Sequence, residues 1–278
     1  MDIYEEIVRL RREGRKGALA TIITTQGSIP SYSSAKMLVR DDGSIVGTIG
    51  GGCVEAEVIT GARKVMEQEK PDVLEFSLNK NPGYDTGLIC GGTLEVFVEP
   101  ILSDPILYLF GAGHVGLNTC RVAALAGFKV AIVDDRSSFA NADRFPDAWA
   151  VHADDWDRVM ASLAPPDGAY IVIATRGHRE DLRVLRWAIG TNARYVGMIG
   201  SKRKIITLCK QLVTEGVPTS ALEGLHAPVG LDIGATTPEE IAVAVVAELI
   251  AVRRRREAAV PMRYPRLVAE EKHAQPAV

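Results

Sequence analysis

The segment from Ile106 to Arg136 constrains the fold more than any other part of the chain. A run of apolar residues leads into Gly111, Gly113 and Gly116, which have the spacing G-x-G-x-x-G. A helical pattern follows, and then a second apolar run that ends at Asp134. The spacing alone is weak evidence, but its position between a strand and a helix is typical of a βαβ unit that binds a dinucleotide.

Each glycine of this motif has a predicted role in an anion site. Gly111 allows a tight turn, Gly113 lets backbone N–H groups approach a pyrophosphate, and Gly116 lets the helix lie close to the strand. Asp134 is expected to accept hydrogen bonds from ribose hydroxyls. Arg136 leaves open whether the ligand carries a 2′-phosphate. The alternative is an ordinary strand–turn–helix unit with glycines at its turn.

Length and composition exclude several classes of protein. A chain of 278 residues favours two domains, and its net charge of −3 gives no overall attraction to nucleic acid. The four cysteines are far apart, which argues against a structural zinc site or a disulfide framework and suits a reducing compartment. No apolar run reaches the ~18 residues of a membrane span. We therefore expect a cytoplasmic protein without a nucleic-acid or membrane partner.

The order of predicted strands and helices indicates the α/β class with two domains. Residues 1–100 form a smaller N-terminal α+β domain, and prolines around residues 100–105 mark its boundary. Residues 106–258 alternate strand and helix, which predicts a Rossmann-like parallel sheet with helices on both faces. The last helix should begin at Thr237, as the N-cap of a capping box. Residues 259–278 are expected to form a flexible tail.

Four predicted strands of the second domain end in loops with polar or glycine residues. Because ligands bind beyond the carboxyl ends of strands in open α/β sheets, these loops should converge on one crevice. The candidate cofactor-binding residues in it are Gly111, Gly113, His114, Gly116, Asp134, Arg136, Arg176, His178, Ser201, Lys202 and Arg203. The alternative for the histidines is surface hydrogen bonding. Basic residues at a helix start oppose the helix dipole, which favours a nearby anion over a merely solvated helix end.

The first domain contains a second candidate site. Gly50, Gly51 and Gly52 open a helix, whose N-terminus would attract an anion. The dipole of this helix favours the thiolate form of Cys53, which could be a nucleophile, a sulfur carrier or a soft metal ligand. The alternative for Cys53 is a small buried hydrophobe. Glu55 could equally be a first-turn acid favoured by the dipole, and no residue is assigned a catalytic role.

Several long motifs carry a resemblance to a known family. They are Gly47-Thr-Ile-Gly-Gly-Gly-Cys-Val-Glu, Cys90-Gly-Gly, Gly197-Met-Ile-Gly-Ser-Lys-Arg-Lys and Pro228-Val-Gly-Leu-Asp-Ile-Gly-Ala-Thr-Thr-Pro-Glu-Glu-Ile-Ala-Val. With these motifs the chain resembles the XdhC/CoxI family of xanthine dehydrogenase accessory factors, over nearly its whole length up to about Arg256.

The resemblance implies a factor that binds molybdenum cofactor, as molybdopterin or its dinucleotide form. Such a factor protects the cofactor while a cysteine desulfurase supports its sulfuration, and delivers it to xanthine dehydrogenase or a related molybdoenzyme. Cys53 would then suit the molybdenum end as a metal ligand. Two alternatives remain, an NAD(P)-dependent oxidoreductase and a nucleotide-sensing regulatory module. No recognisable substrate domain follows the glycine motif, which favours the chaperone. Homodimerisation is expected as the commonest assembly.

Overall fold

The computed structural model describes residues 2–27, 34–77 and 92–255. The chain divides into two compact units, Met1–Asp104 and Pro105–Val278. The expected tail at 259–278 and the Cys90 motif lie outside the described residues. Within the described part of the chain, no helix is long and apolar enough to cross a membrane.

The first unit is built on an antiparallel sheet. Its described elements are α1 (Ile3–Arg12), β1 (Gly17–Gly27), β2 (Lys36–Arg40), β3 (Ile45–Gly47), α2 (Gly52–Gln68), β4 (Asp72–Ser77) and β5 (Gly92–Ile101), and the strand order is β3-β2-β1-β5-β4. Successive residues of a strand point to opposite faces. Ala20 accordingly packs with Val58 of α2, whereas Leu19 packs with Leu10 of α1. The predicted α+β character of this unit is confirmed.

The second unit is built on a parallel sheet. Its described elements are β6 (Ile106–Phe110), α3 (His114–Leu125), β7 (Lys129–Val133), β8 (Ala150–His152), α4 (Trp156–Ser162), β9 (Tyr170–Ile173), α5 (His178–Ala188), β10 (Tyr195–Met198), α6 (Lys202–Thr214), β11 (Leu225–His226) and α7 (Pro238–Arg253). The strand order is β8-β7-β6-β9-β10-β11, and all pairings are parallel. Counted from β6 this order is 3-2-1-4-5-6, which is the dinucleotide-binding order.

Helices cover both faces of this sheet, because successive residues of each central strand are apolar and point to opposite faces. Phe110 packs on one side with Leu185 of α5 and Leu208 of α6. Leu109 packs on the other side in the same cluster as Leu249 of α7. The last helix begins as predicted, with Thr237 as N-cap in a complete capping box. The predicted Rossmann-like architecture is therefore confirmed.

The chain adds strands in one direction from β6 to β8, and then returns to the other side of β6 and adds β9 to β11 in the opposite direction. β6 is flanked by β7 on one side and by β9 on the other, and each of these follows a different crossover. At such a switch point, the loops after the two central strands lead to opposite sides and leave a crevice beyond the carboxyl ends of the strands. The glycine motif follows β6, so the fold places it at this crevice.

Candidate functional site

Two of the three motif glycines are required by close backbone packing. Gly111 has φ of +120°, and a Cβ atom there would lie 2.1 Å from the carbonyl oxygen of Ala174. A Cβ atom at Gly116 would lie 1.9 Å from the carbonyl oxygen of Gly111. Gly113 differs, because a Cβ atom there would meet no atom of the described residues within 4 Å. The open space at the crevice is therefore at Gly113, where a ligand can approach the backbone.

The N-terminus of α3 carries no side-chain cap. Gly113 is its N-cap residue, and the first turn contains no acidic residue. In the same unit α4, α6 and α7 are capped by side chains, those of Asp155, Ser201 and Thr237. Helix α5 also begins after a glycine, Gly177, but its first turn contains acidic residues. The first N–H groups of α3 and the positive end of its dipole thus face the crevice, and no side chain of the described residues caps them. His114, the first residue of the helix, is exposed.

Asp134 has a different role from the ribose acceptor that the sequence predicts. Its carboxylate is 1% exposed, and Oδ2 accepts a hydrogen bond from the backbone N–H of Ala112 at 2.8 Å. Oδ1 accepts from the backbone N–H and Nε of Arg136, at 3.1 and 2.8 Å, and Arg136 Nη2 donates to Oδ2 at 2.9 Å. The carboxylate therefore holds the glycine loop and offers little to a ligand.

The charge state of Asp134 follows from the same contacts. Burial raises the pKa of the Asp134 carboxyl, but the hydrogen bonds from Arg136 and Ala112 outweigh burial and hold this pKa below its ordinary value. Arg136 is held in turn, since its guanidinium carbon lies 3.9 Å from the ring centre of Phe139. Arg136 is thus engaged within the protein, which disfavours its role as a 2′-phosphate binder.

The loop after β9 brings Arg176 and His178 to the same edge of the sheet. Both side chains are exposed, and His178 is the first residue of α5. Arg176 Nη2 donates to Oδ2 of Asp135, which follows β7, at 2.8 Å. Because β7, β6 and β9 are neighbours in this order, the contact joins the loops on either side of the glycine motif.

The loop after β10 contributes the third group of candidates. Ser201 caps α6 by accepting a hydrogen bond from the backbone N–H of Lys204 at 3.3 Å. Ser201, Lys202 and Arg203 are exposed. β10 lies next to β9 in the sheet, so the four loops after β7, β6, β9 and β10 stand side by side. The structure therefore brings together, at one edge of the sheet, the crevice residues that the sequence predicts.

A buried ion pair beside the crevice was not predicted from the sequence. Asp181 of α5 is 0% exposed, and its Oδ1 accepts a hydrogen bond from the hydroxyl of Thr175 at 2.6 Å. Its Oδ2 forms an ion pair with Nζ of Lys204 on α6. This network joins the loop after β9 to the helix after β10. Lys204 stands in a run of exposed basic residues, so the sequence carried no signal of its buried partner.

Glu248 of α7 organises the glycine-rich loop that follows β11. Its Oε2 accepts hydrogen bonds from the hydroxyl of Tyr195 and from the backbone N–H of Gly230, the latter at 2.8 Å. Its Oε1 lies 3.0 Å from Nδ1 of His226. Glu248 was not among the site residues predicted from the sequence. The available signal was a carboxylate within the apolar run that surrounds Leu249.

The glycine cluster of the first unit already carries an anion of its own. Glu55 Oε1 accepts hydrogen bonds from the backbone N–H groups of Ile49 and Gly51, at 3.2 and 3.1 Å, and from the Thr48 hydroxyl. The carboxylate of Glu55 therefore occupies the place that the sequence assigns to a ligand anion at Gly50, Gly51 and Gly52. Burial raises the Glu55 pKa, and the hydrogen bonds from Thr48, Ile49 and Gly51 more than offset this and lower it.

Cys53 is exposed in the first turn of α2, which differs from the buried position of a small core residue. By contrast, Cys120 is buried in α3, and burial raises the pKa of its thiol to about 12. Within residues 2–27, 34–77 and 92–255, no three His, Cys, Asp or Glu side chains are grouped so that they could hold a metal ion.

Comparison with known proteins identifies related families in both units of the chain. The XdhC Rossmann domain matches residues 107–249, and the XdhC and CoxI family matches residues 10–77. The chain is 37% identical over 254 residues to the uncharacterized protein YqeB of Escherichia coli K12, which covers 91% of this chain and 46% of YqeB. The chain therefore spans about half the length of this relative.

Two further proteins match nearly the whole chain. The molybdenum cofactor insertion chaperone PaoD of Escherichia coli K12 is 25% identical over 289 residues, which are 92% of this chain and 91% of PaoD. A crystal structure from Bacillus halodurans, described as a xanthine dehydrogenase, covers 94% of this chain and 98% of its own, with 24% identity and a TM-score of 0.50, and shows a similar fold. Because the Rossmann-domain match alone covers about half of the residues, and a second match covers most of the first unit, this chain belongs to the XdhC and CoxI family.

Proposed function

We propose that this protein is a non-catalytic chaperone of molybdenum cofactor, which binds the cofactor, supports its sulfuration and delivers it to xanthine dehydrogenase or a related molybdenum hydroxylase. Family membership and the name of the relative PaoD support a role in cofactor maturation. The observation that carries the proposal is the uncapped N-terminus of α3, which faces open space at Gly113.

The phosphate end of the cargo binds at this position. Molybdopterin carries a phosphate, and its dinucleotide form carries a pyrophosphate. The N–H groups at the start of α3 can donate to such an anion, and the helix dipole adds a favourable charge interaction. The exposed Arg176, Lys202 and Arg203 add positive charge along the same edge of the sheet.

The metal end of the cargo is assigned to Cys53. Glu55 already supplies an anion to the amides of the Gly50-Gly51-Gly52 loop, so this loop is a poor phosphate site. An exposed cysteine sulfur is a soft ligand suited to a metal or to a transferred sulfur. A cysteine desulfurase and the recipient molybdoenzyme are the partners this role requires, and a homodimer is the proposed assembly.

A nicotinamide-dependent oxidoreductase is less well supported. In that reading Asp134 binds a ribose and Arg136 addresses a 2′-phosphate. The two side chains are instead engaged with each other, and Asp134 also accepts a hydrogen bond from the backbone N–H of Ala112. The nucleotide-sensing alternative uses the same crevice and predicts nucleotide binding without retention of molybdenum cofactor.

Equilibrium dialysis with released molybdenum cofactor tests the proposal. We expect retention with a Kd in the low micromolar range or below, and a loss of at least about tenfold in Gly113→Val, because its side chain fills the space next to the α3 N-terminus. Gly224→Val is the matched control, since a Cβ atom there also meets nothing within 4 Å and Gly224 precedes β11 at the amino edge of the sheet. Absent retention together with NADH oxidation on a small substrate would establish the oxidoreductase instead.

Sulfur loading tests the role of Cys53. We expect Cys53→Ala to lose sulfuration of the bound cofactor by a desulfurase while it keeps nucleotide or phosphate binding. Cys209→Ala, a change at a partly buried cysteine of α6, should behave as wild type. Equal sulfuration in wild type and Cys53→Ala would remove Cys53 from the mechanism.

A further inference from the structure

An exposed ion pair crosses the glycine loop at the switch point. Arg176 Nη2 lies 2.8 Å from Asp135 Oδ2. Asp135 follows β7 and Arg176 follows β9, and β6 lies between these two strands. Because neighbouring strands are about 4.8 Å apart, the pair spans roughly 10 Å beyond the end of β6. The ion pair therefore crosses the space beyond the carboxyl end of β6, where the glycine loop begins at Gly111.

The ion pair between Arg176 and Asp135 is weak, so breaking it requires little free energy. The side chain of Arg176 is 51% exposed, so water screens its charge and the ion pair is weak. Asp135 is 25% exposed, and its Oδ1 has no hydrogen-bond partner within the described residues, with Arg136 Nε 4.0 Å away. A phosphate offers a guanidinium two oxygens and more negative charge than one carboxylate oxygen does. An incoming phosphate can therefore compete with Asp135 for Arg176.

We infer that Asp135 and Arg176 form a latch over the glycine loop, which opens when the diphosphate of a ligand replaces Asp135 as the partner of Arg176. This inference rests on the proposed function, since it takes the phosphate end of the cargo to lie at Gly113. It narrows the ligand at this site to compounds with a diphosphate group, and it gives Asp135 a role opposite to that of a binding residue. Asp135 competes with the ligand, whereas Arg176 binds it.

Calorimetric titration of the full chain with inorganic pyrophosphate at low ionic strength tests the latch. Asp135→Asn should tighten binding about two- to fivefold, because Arg176 is then released from a weak ion pair. Arg176→Gln should weaken binding at least about tenfold. The double variant should bind as Arg176→Gln does, since Asp135 acts only through Arg176.

A charge-matched control tests whether the loss of any exposed negative charge, and not the release of Arg176, changes the affinity for pyrophosphate. Asp157→Asn removes one negative charge from another exposed ion pair, with Arg183, and should leave pyrophosphate binding unchanged. Tightening in Asp135→Asn that persists in the double variant would overturn the latch, because Asp135 would then act on the ligand directly. Unchanged affinity in both single variants would overturn it as well.

Failure of the latch can be told apart from failure of the proposed function. If the wild type does not bind pyrophosphate, the latch is overturned, whereas the proposed function is decided by retention of molybdenum cofactor in dialysis. If pyrophosphate binds and Gly113→Val abolishes its binding, the crevice is the site, and the two single variants then decide the latch alone.

Discussion

The Oδ2 atom of Asp134 lies 2.8 Å from the backbone nitrogen of Ala112, and this hydrogen bond ties the end of β7 to the glycine loop after β6. Arg136 donates to both oxygens of the same carboxylate. Asp134, at the end of β7, thus holds the glycine loop in place by a hydrogen bond inside the protein. This arrangement makes the geometry of the loop independent of a bound ribose.

Removing the charge of Asp134 should destabilise the second unit. Asp134→Asn leaves Arg136 without its carboxylate and weakens the bond to Ala112, so we expect a loss of about 2–4 kcal/mol in the free energy of unfolding. All three tryptophans lie beyond residue 105, so tryptophan fluorescence in urea reports on this unit. Asp157→Asn, at an exposed ion pair, should cost less than about 1 kcal/mol. Equal losses in the two variants would contradict the role of Asp134.

The glycines of the motif should differ in their tolerance of a methyl group. Gly116→Ala places a Cβ atom 1.9 Å from the carbonyl oxygen of Gly111, so the helix or the loop must move. We expect a loss above about 2 kcal/mol and a fall in Tm of roughly 5 °C or more. Gly113→Ala meets no atom within 4 Å and should stay within about 1 kcal/mol of wild type. Thermal melts followed by tryptophan fluorescence make the comparison, and similar melting of the two variants would refute it.

The buried pair of Asp181 and Lys204 should show strong coupling. Lys204→Met leaves the Asp181 carboxylate buried without its cation, at a cost of about 3–5 kcal/mol. Asp181→Asn combined with Lys204→Met should recover most of this loss, because Asn still accepts the hydrogen bond from Thr175. A double-mutant cycle in urea gives the coupling energy. If the losses in free energy of unfolding are additive in the double variant, the two side chains do not form this ion pair in solution.

The first unit should lose stability in acid through Glu6. Hydrogen bonds from Arg9 and Arg40 lower the pKa of the buried Glu6 carboxyl from 4.5 to about 2. Because the folded pKa lies below the unfolded value, the stabilisation is present above pH 4.5 and is lost as the pH falls to about 2. The difference in urea midpoint between wild type and Glu6→Gln, measured by circular dichroism, should shrink over this window.

The acid dependence has a neighbouring control. Glu5→Gln changes an exposed carboxyl on the same helix. Its urea midpoint should differ little from that of wild type over the whole pH range. A Glu6→Gln difference that stays constant from neutral pH down to about 2 would mean that Glu6 is not held ionised by its arginines.

The sequence by itself determined the elements and their order. Apolar strands with intervening helical patterns predicted the parallel sheet, and Gly111, Gly113 and Gly116 located the turn between β6 and α3. Thr237 with Glu240 fixed the start of α7, because a capping box closes within one helical turn. Such features depend on residues that are close along the chain, so their spacing encodes them directly.

Only the tertiary structure decided which polar groups meet. Asp134 meets Ala112 because β7 pairs with β6 in register. Asp181 meets Lys204 because β9 and β10 place their helices side by side. Each of these carboxylates could have faced solvent or a ligand on the sequence alone. Strand order and register select their partners, and no local spacing in the sequence records that selection.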